Sequence, residues 1–218
     1  MTDKKARNPR YVTQVGVAIY PHLVEPDTKF NAEGEYKVKL RLSPDSVITD
    51  AKGKRVADVQ SFIDDMMAKA LEKAQQENKG KIKEADAPYE IDDETGDVLV
   101  NFKLKATGKT RDGKEFTQKP VLFDAKGKPA EVKGVWGGSK IKVSFEVVPF
   151  YTKLIGAGVS LRLKAAQIIE LIAGGNGGSA DSYGFGEEEG YEAEDEAADN
   201  GFSADDEGGS APADDEDF

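Results

Sequence analysis

Four stretches of the chain alternate apolar and polar residues with period two, the signature of half-buried strands. In Tyr36 to Leu42, Tyr36, Val38, Leu40 and Leu42 share one face, and Lys37, Lys39 and Arg41 share the other. Val98, Val100, Phe102 and Leu104 alternate with a face that carries Lys103 and Lys105. Ile141, Val143, Phe145 and Val147 oppose Lys140 and Lys142, and Val159, Leu161 and Leu163 oppose Arg162 and Lys164. Less regular strands are expected near Val12–Tyr20, Phe116–Phe123 and Gln167–Ile172. Turn signals separate these runs: Asp92 to Asp97, Arg111 to Lys114 with an Asp-Gly step, Ala125 to Lys128, and Gly137-Gly138. One segment has the helical period instead. Val56, Val59, Ile63, Met66, Met67, Ala70, Leu71 and Ala74 predict a helix over about 56–78, with Asn78 and Gly80 as stop signals.

Many short strands and one long helix predict an all-β-dominated fold. The natural candidate is an OB-fold-like five-stranded barrel with additional strands and the helix packed on it. Apolar patterning stops abruptly after Ile172, beyond which there is no Val, Ile, Leu or Met. The expected organisation is a 1–173 domain followed by a disordered, Gly-linked acidic tail over 174–218, whose composition cannot bury enough aliphatic surface to offset chain entropy.

Charge sharpens that boundary. The chain of 218 residues has net charge −11, but 16 of its 41 acidic residues lie in 174–218, where there is no Lys or Arg. The remaining 25 face all 30 basic residues, so the body is +5 and the tail −16. Such asymmetry suggests an acidic tail beside a basic binding surface. The tail also holds five aromatics in 45 residues, against 13 in the 173 before it. A merely solubilising tail needs none. A docking tail would use carboxylates as phosphate mimics and rings as base mimics. Its end, Asp214-Asp215-Glu216-Asp217-Phe218, has both.

The chemistry of catalysis is missing from the sequence. There is no cysteine, and the one histidine, His22, reads as a loop residue between Pro21 and Leu23. No phosphate loop, nucleophile elbow or zinc-protease pair occurs. Asp92 to Asp97 lacks the spacing of a calcium loop. No enzyme, metal or cofactor is expected. With no apolar run of about 20 residues and no apolar segment in Met1 to Arg10, a cytoplasmic protein without membrane association is expected.

What remains is a pattern suited to single-stranded nucleic acid. Nine cations lie opposite apolar strand faces: Lys37, Lys39, Arg41, Lys103, Lys105, Lys140, Lys142, Arg162 and Lys164. On a shared sheet they would make one positive face, although lysines also serve to solubilise outer faces and guard edges. Phe150 and Tyr151 follow Pro149 beside Lys153, and Trp136 sits in a Gly-rich loop between Lys133 and Lys140. Rings stack on bases while cations track phosphates. Alternation points Phe150 and Tyr151 in opposite directions, so only one of them is expected to stack.

Three stretches resemble the single-stranded DNA-binding proteins of short-tailed bacteriophages, which have an OB-fold and an acidic C-terminal tail. They are Gly34-Glu35-Tyr36-Lys37-Val38-Lys39-Leu40; Gly137-Gly138-Ser139-Lys140-Ile141-Lys142-Val143 through Val148-Pro149-Phe150 to Gly156-Ala157-Gly158-Val159-Ser160-Leu161-Arg162-Leu163; and the closing acidic run with Phe218. The resemblance implies binding of single-stranded DNA in phage replication and recombination, strand annealing, and action in the host cytoplasm. It implies contact between the tail and a phage or host DNA polymerase and helicase/primase, with Asp214, Asp215, Glu216, Asp217 and Phe218 as the contacting end. Phe150 matches a base-stacking position, and Lys140 and Lys142 match basic strand positions. A homodimer is compatible with it. One departure is Thr152, where the family type has tryptophan; Tyr151 or Trp136 is then the candidate substitute. Two rival readings use the same features: a non-enzymatic adaptor module built on barrel and tail, and an RNA- or duplex-binding variant of the barrel.

Overall fold

The computed structural model describes residues 8–172, apart from 30, 79, 111 and 112. The acidic tail expected over 174–218, with its terminal Phe218, lies outside the described residues. In chain order the strands are β1 (Arg10–Val12), β2 (Gly16–Asp27), β3 (Glu35–Leu42), β4 (Val47–Asp50) and β5 (Arg55–Asp58). Helix α1 (Val59–Glu77) follows, then β6 (Tyr89–Ile91), β7 (Val98–Lys105), β8 (Thr107–Lys109), β9 (Glu115–Thr117) and β10 (Val121–Phe123). The two longest strands close the series, β11 (Lys140–Thr152) and β12 (Gly156–Glu170).

The four alternating strands and β2 join into a ring. β2 pairs antiparallel with β3, and β3 with β7. β7 meets β12 in parallel at Lys103↔Arg162. β12 runs antiparallel to β11 along its length, and β11 returns to β2 at Ile141↔Gly16. This closed order, first-second-third-fifth-fourth, is that of an OB-fold barrel, and closure removes the exposed edges an open sheet would present. Closing it requires glycine at one corner. A Cβ on Gly16 would lie 2.6 Å from the Arg41 carbonyl oxygen and 2.8 Å from the side chains of Leu40 and Leu42. The remaining strands extend the ring: β10 joins β12, β1 joins β11, β4 and β5 follow β1, and β6 flanks β7. The β8–β9 hairpin stands apart as a separate two-stranded sheet.

The apolar faces read from the sequence fill the barrel. Val38, Leu40, Val100, Phe102, Ile141, Val143, Phe145, Leu161 and Leu163 are all buried. Each side chain of that size contributes roughly 1.5–3 kcal/mol relative to exposure. Helix α1 covers one side of the barrel, with Phe62, Ile63 and Met67 buried against β11 and β12. Phe62, Phe102, Phe145 and Tyr11 form an aromatic chain, with ring centroids 5.1 Å apart for Phe102–Phe145 and 6.2 Å for Phe62–Phe145. No helix among the described residues is long and apolar enough to cross a membrane.

The helix begins later than the periodicity predicts. Val56 belongs to β5 and is 46% exposed, because Arg55–Asp58 pairs with β4 before the chain turns. Asp58 is the N-cap, and its Oδ1 accepts from the Ser61 backbone N–H at 2.9 Å. That bond, reinforced by the Ser61 hydroxyl, holds the Asp58 carboxyl below the usual carboxylate range. A depressed folded-state pKa means the cap's contribution is present above the ordinary Asp value and lost as pH falls through the folded one. Asp58→Ala is expected to cost about 1 kcal/mol, read by urea denaturation at neutral pH, with the difference from wild type shrinking in acid.

Two strand expectations also change. Phe116–Phe123 is not one strand: Pro120, which has no N–H to donate, separates β9 from β10, and these pair with β8 and β12 respectively. Gln167–Ile172 is not a separate strand, because β12 runs unbroken from Gly156 to Glu170 under its pairing with β11. Asp92 to Asp97 forms the expected hairpin turn, with Asp92 Oδ1 accepting from the backbone N–H groups of Glu94 and Thr95.

Candidate nucleic-acid interface

Because alternate residues of each strand point outward, the ring's register lines polar side chains up across it. One row runs His22↔Lys37↔Lys103↔Arg162↔Glu146↔Arg10 over β2, β3, β7, β12, β11 and β1. The second and third barrel strands, β3 and β7, form the floor of a groove of about 640 Å³. Lys37, Lys39, Asn101 and Lys103 line it, with Phe150 of β11 and Tyr20 of β2 as aromatic residues above the buried Phe102. A second depression, of about 520 Å³, adjoins the first: Glu35, Lys103 and Ser160 line both. Lys105 and Arg162 border this second part.

Tyr20 is the groove residue that sequence reasoning missed. It is 82% exposed and has φ +46°, a backbone conformation uncommon for a non-glycine residue. The β2–β3 register shifts between Ile19 and His22, so Tyr20 sits at an irregularity. The Tyr20-Pro21 step was the available signal. A proline inside an apolar strand marks a bulge or an edge.

The outer face is not a bare cationic surface. Lys37 pairs with Asp27, Lys39 with Glu90 at 3.0 Å, Arg41 with Asp92 at 3.7 Å, and Lys105 with Glu33 at 3.8 Å. Arg10, Arg162 and Lys164 converge on Glu146 at 3.7–3.9 Å. Lys103 has no ion pair among the described residues. The Lys37 ammonium is the chief cause of an Asp27 carboxyl held below the ordinary range, with the Lys29 backbone N–H second. At Asp92 the backbone donors Glu94 and Thr95 dominate and Arg41 adds to them. The pairs whose acids are exposed, Lys39–Glu90 and Lys105–Glu33, contribute about 0–1 kcal/mol each, so there a phosphate can replace the carboxylate at little cost; Glu146 is buried and holds its cations more firmly.

The expected nine-cation face therefore divides. Lys37, Lys39, Lys103, Lys105 and Arg162 line the two adjoining depressions, with Phe150 in the first. Lys164 is held toward Glu146 and Arg41 toward the β6–β7 turn. Lys140 pairs with Glu170 at 2.6 Å, and Lys142 borders a different depression beside Arg10 and Gln167. Trp136 is 45% exposed and packs over Gly134, beside Pro21 and His22, in a recess that shares no residue with the groove. Tyr151 is exposed and does not line the groove, while Lys153 stands at the β11–β12 hairpin tip next to Leu154. The strand pairing explains the division: β11 and β12 are long enough to leave the ring, so the two ends of each strand serve different surfaces.

A groove with rings and ammonium groups over the second and third strands can hold unpaired bases and their phosphates together. Comparison with known proteins agrees in kind. The family model described as single-stranded DNA-binding protein, bacteriophage T7, matches residues 15–171. A single-stranded DNA-binding protein of Enterobacteria phage T3 is 32% identical, with 95% of this chain and 97% of that protein covered. Its counterpart from Escherichia phage T7 is 33% identical over 74% of this chain and 72% of that protein. The crystal structure of gp2.5, a single-stranded DNA-binding protein encoded by bacteriophage T7, superposes with a TM-score of 0.64 at 28% identity, covering 86% of this chain and all of that one. With more than half of its length matched by the family model, the chain belongs to the bacteriophage T7 family of single-stranded DNA-binding proteins.

Proposed function

We propose that the barrel binds a run of single-stranded DNA along the β3–β7 groove, largely independently of sequence. The observation that carries this reading is the placement of Phe150 and Tyr20 in one groove with Lys37, Lys39 and Lys103. Every base has a π-face and every nucleotide a phosphate, so rings and ammonium groups discriminate little among sequences. The relatives' names, as single-stranded DNA-binding proteins, support it. The chain acts without catalysis, in phage replication and recombination inside the host cell.

The tail acts as a competitor in the same reading. Residues 174–218 carry charge −16 on a Gly-rich link to a +5 body. Tethering through a short Gly-rich link gives an effective concentration in the millimolar range. Carboxylates and Phe218 occupy the groove until DNA displaces them, and the released tail recruits a polymerase or helicase/primase.

The test is a salt titration of binding to a labelled oligothymidine, with the full chain and a chain ending at residue 173 side by side. Log affinity is expected to fall with log salt at about −0.7 per phosphate contacted, and truncation is expected to tighten binding. Absence of binding by either chain at low salt overturns the single-strand reading. Unchanged or weaker affinity on truncation overturns the competition.

A further inference from the structure

We propose that the groove continues past Lys103 to a second base-stacking position built on Phe116, so that one DNA strand follows β12 from Phe150 to Phe116. The proposal rests on the single-strand reading of the groove and extends it to a residue that reading does not use.

Phe116 has no role in the core. It is half-buried, belongs to neither buried apolar cluster, and sits on a hairpin outside the barrel sheet. Yet it is firmly placed. Its ring lies against Gly108 across the hairpin, where a Cβ would come within 2.9 Å of Cζ. The hairpin is tied to the barrel rim by Thr107 Oγ1 donating to the Glu33 carbonyl at 2.8 Å and the Gln118 N–H to the Ala106 carbonyl at 2.8 Å. Gln118 Nε2 adds a bond to the Lys105 carbonyl at 3.0 Å. An apolar ring seated on bare backbone at the wall of a polar depression is the form a stacking platform takes.

Where the cations along this path have ion contacts, these are longer than those of Lys37 and Lys39. Lys103 lies midway and has no ion pair among the described residues. Lys105 and Arg162 flank Phe116 with carboxylate contacts of 3.8 and 3.7 Å, beyond hydrogen-bond length. The spacing also suits a strand. Phe150 pairs with Gly158 of β12, and Arg162 borders the Phe116 end. Four residues of strand span about 13 Å, or roughly four nucleotides at the duplex rise of about 3.4 Å, the lower end of the site size of one OB fold.

The test compares the full chain with Phe116→Leu and Phe150→Leu on oligothymidines of about two nucleotides, shorter than one OB site, and about twelve, inside its range. Phe116→Leu is expected to weaken the longer oligomer fivefold or more, the low end of one stacked base, and to leave the shorter one unchanged. Phe116→Tyr should bind as wild type. Ultraviolet cross-linking of the unsubstituted chain, which needs no variant to fold, should place thymine on Phe116. Normal binding by Phe116→Leu beside a weakened Phe150→Leu, or cross-links confined to Tyr20 and Phe150, overturns the second position and leaves the first. No binding by the unsubstituted chain overturns the single-strand reading and this extension with it.

Discussion

Replacing Phe150 by alanine is expected to weaken binding of an oligothymidine by about fivefold to 150-fold, the consequence of losing about 1–3 kcal/mol for one stacked base. Phe150 is the ring that alternation and the β11–β12 pairing turn into the groove, where Lys37, Lys39 and Lys103 are within the same lining. Tyr151→Ala, one residue on and outside the groove, is expected to change affinity little. Anisotropy titrations at two salt concentrations separate the causes. Loss of stacking shifts affinity equally at both, whereas loss of a phosphate contact at Lys103 lowers the salt slope by about 0.7. Equal and negligible losses for Phe150 and Tyr151 would remove this segment from the site.

Phe145→Ala should have the largest effect on stability, about 3–5 kcal/mol. Its ring is 1% exposed and touches three others: Phe102 on β7, Tyr11 on β1 and Phe62 on α1. It therefore joins barrel, extension and helix at one point, and no neighbour can move in without opening a gap elsewhere. Urea denaturation should show a lower midpoint with an unchanged slope, the mark of lost stability in a state of the same compactness. A loss under about 1 kcal/mol would mean that the interior collapses around the cavity, and that the aromatic chain does not couple the helix to the barrel.

Much of this architecture was legible because it rests on local periodicity. Alternation alone puts Lys37, Lys39, Lys103, Lys105 and Arg162 on outward faces, and all line the two adjoining depressions. Phe150 was singled out by Val148-Pro149-Phe150, and it also lies there. Lys140 and Lys142 had the same local pattern and went elsewhere, because alternation says which face a residue takes but not which neighbour shares it. Trp136 looked equally suitable beside its lysines, yet packing over Gly134 puts it in another recess. The acids that pair with the cations were invisible for the same reason. Glu90 and Glu146 lie 51 residues from Lys39 and 16 from Arg162, distances only strand pairing closes.

The strand faces, the helix, the hairpin at Asp92 to Asp97, and the division of charge between body and tail are all legible along the chain. These follow from spacing and composition, which act over a few residues or over sums. Strand pairing in the fold instead sets the helix start, where β5 against β4 overrides the periodicity at Val56. It also decided the break at Pro120, the irregularity that exposes Tyr20, and the choice of five of nine expected cations for the groove. Each depends on which strand lies beside which. That is set by closure of the ring and by packing around Phe145, quantities that no local window contains.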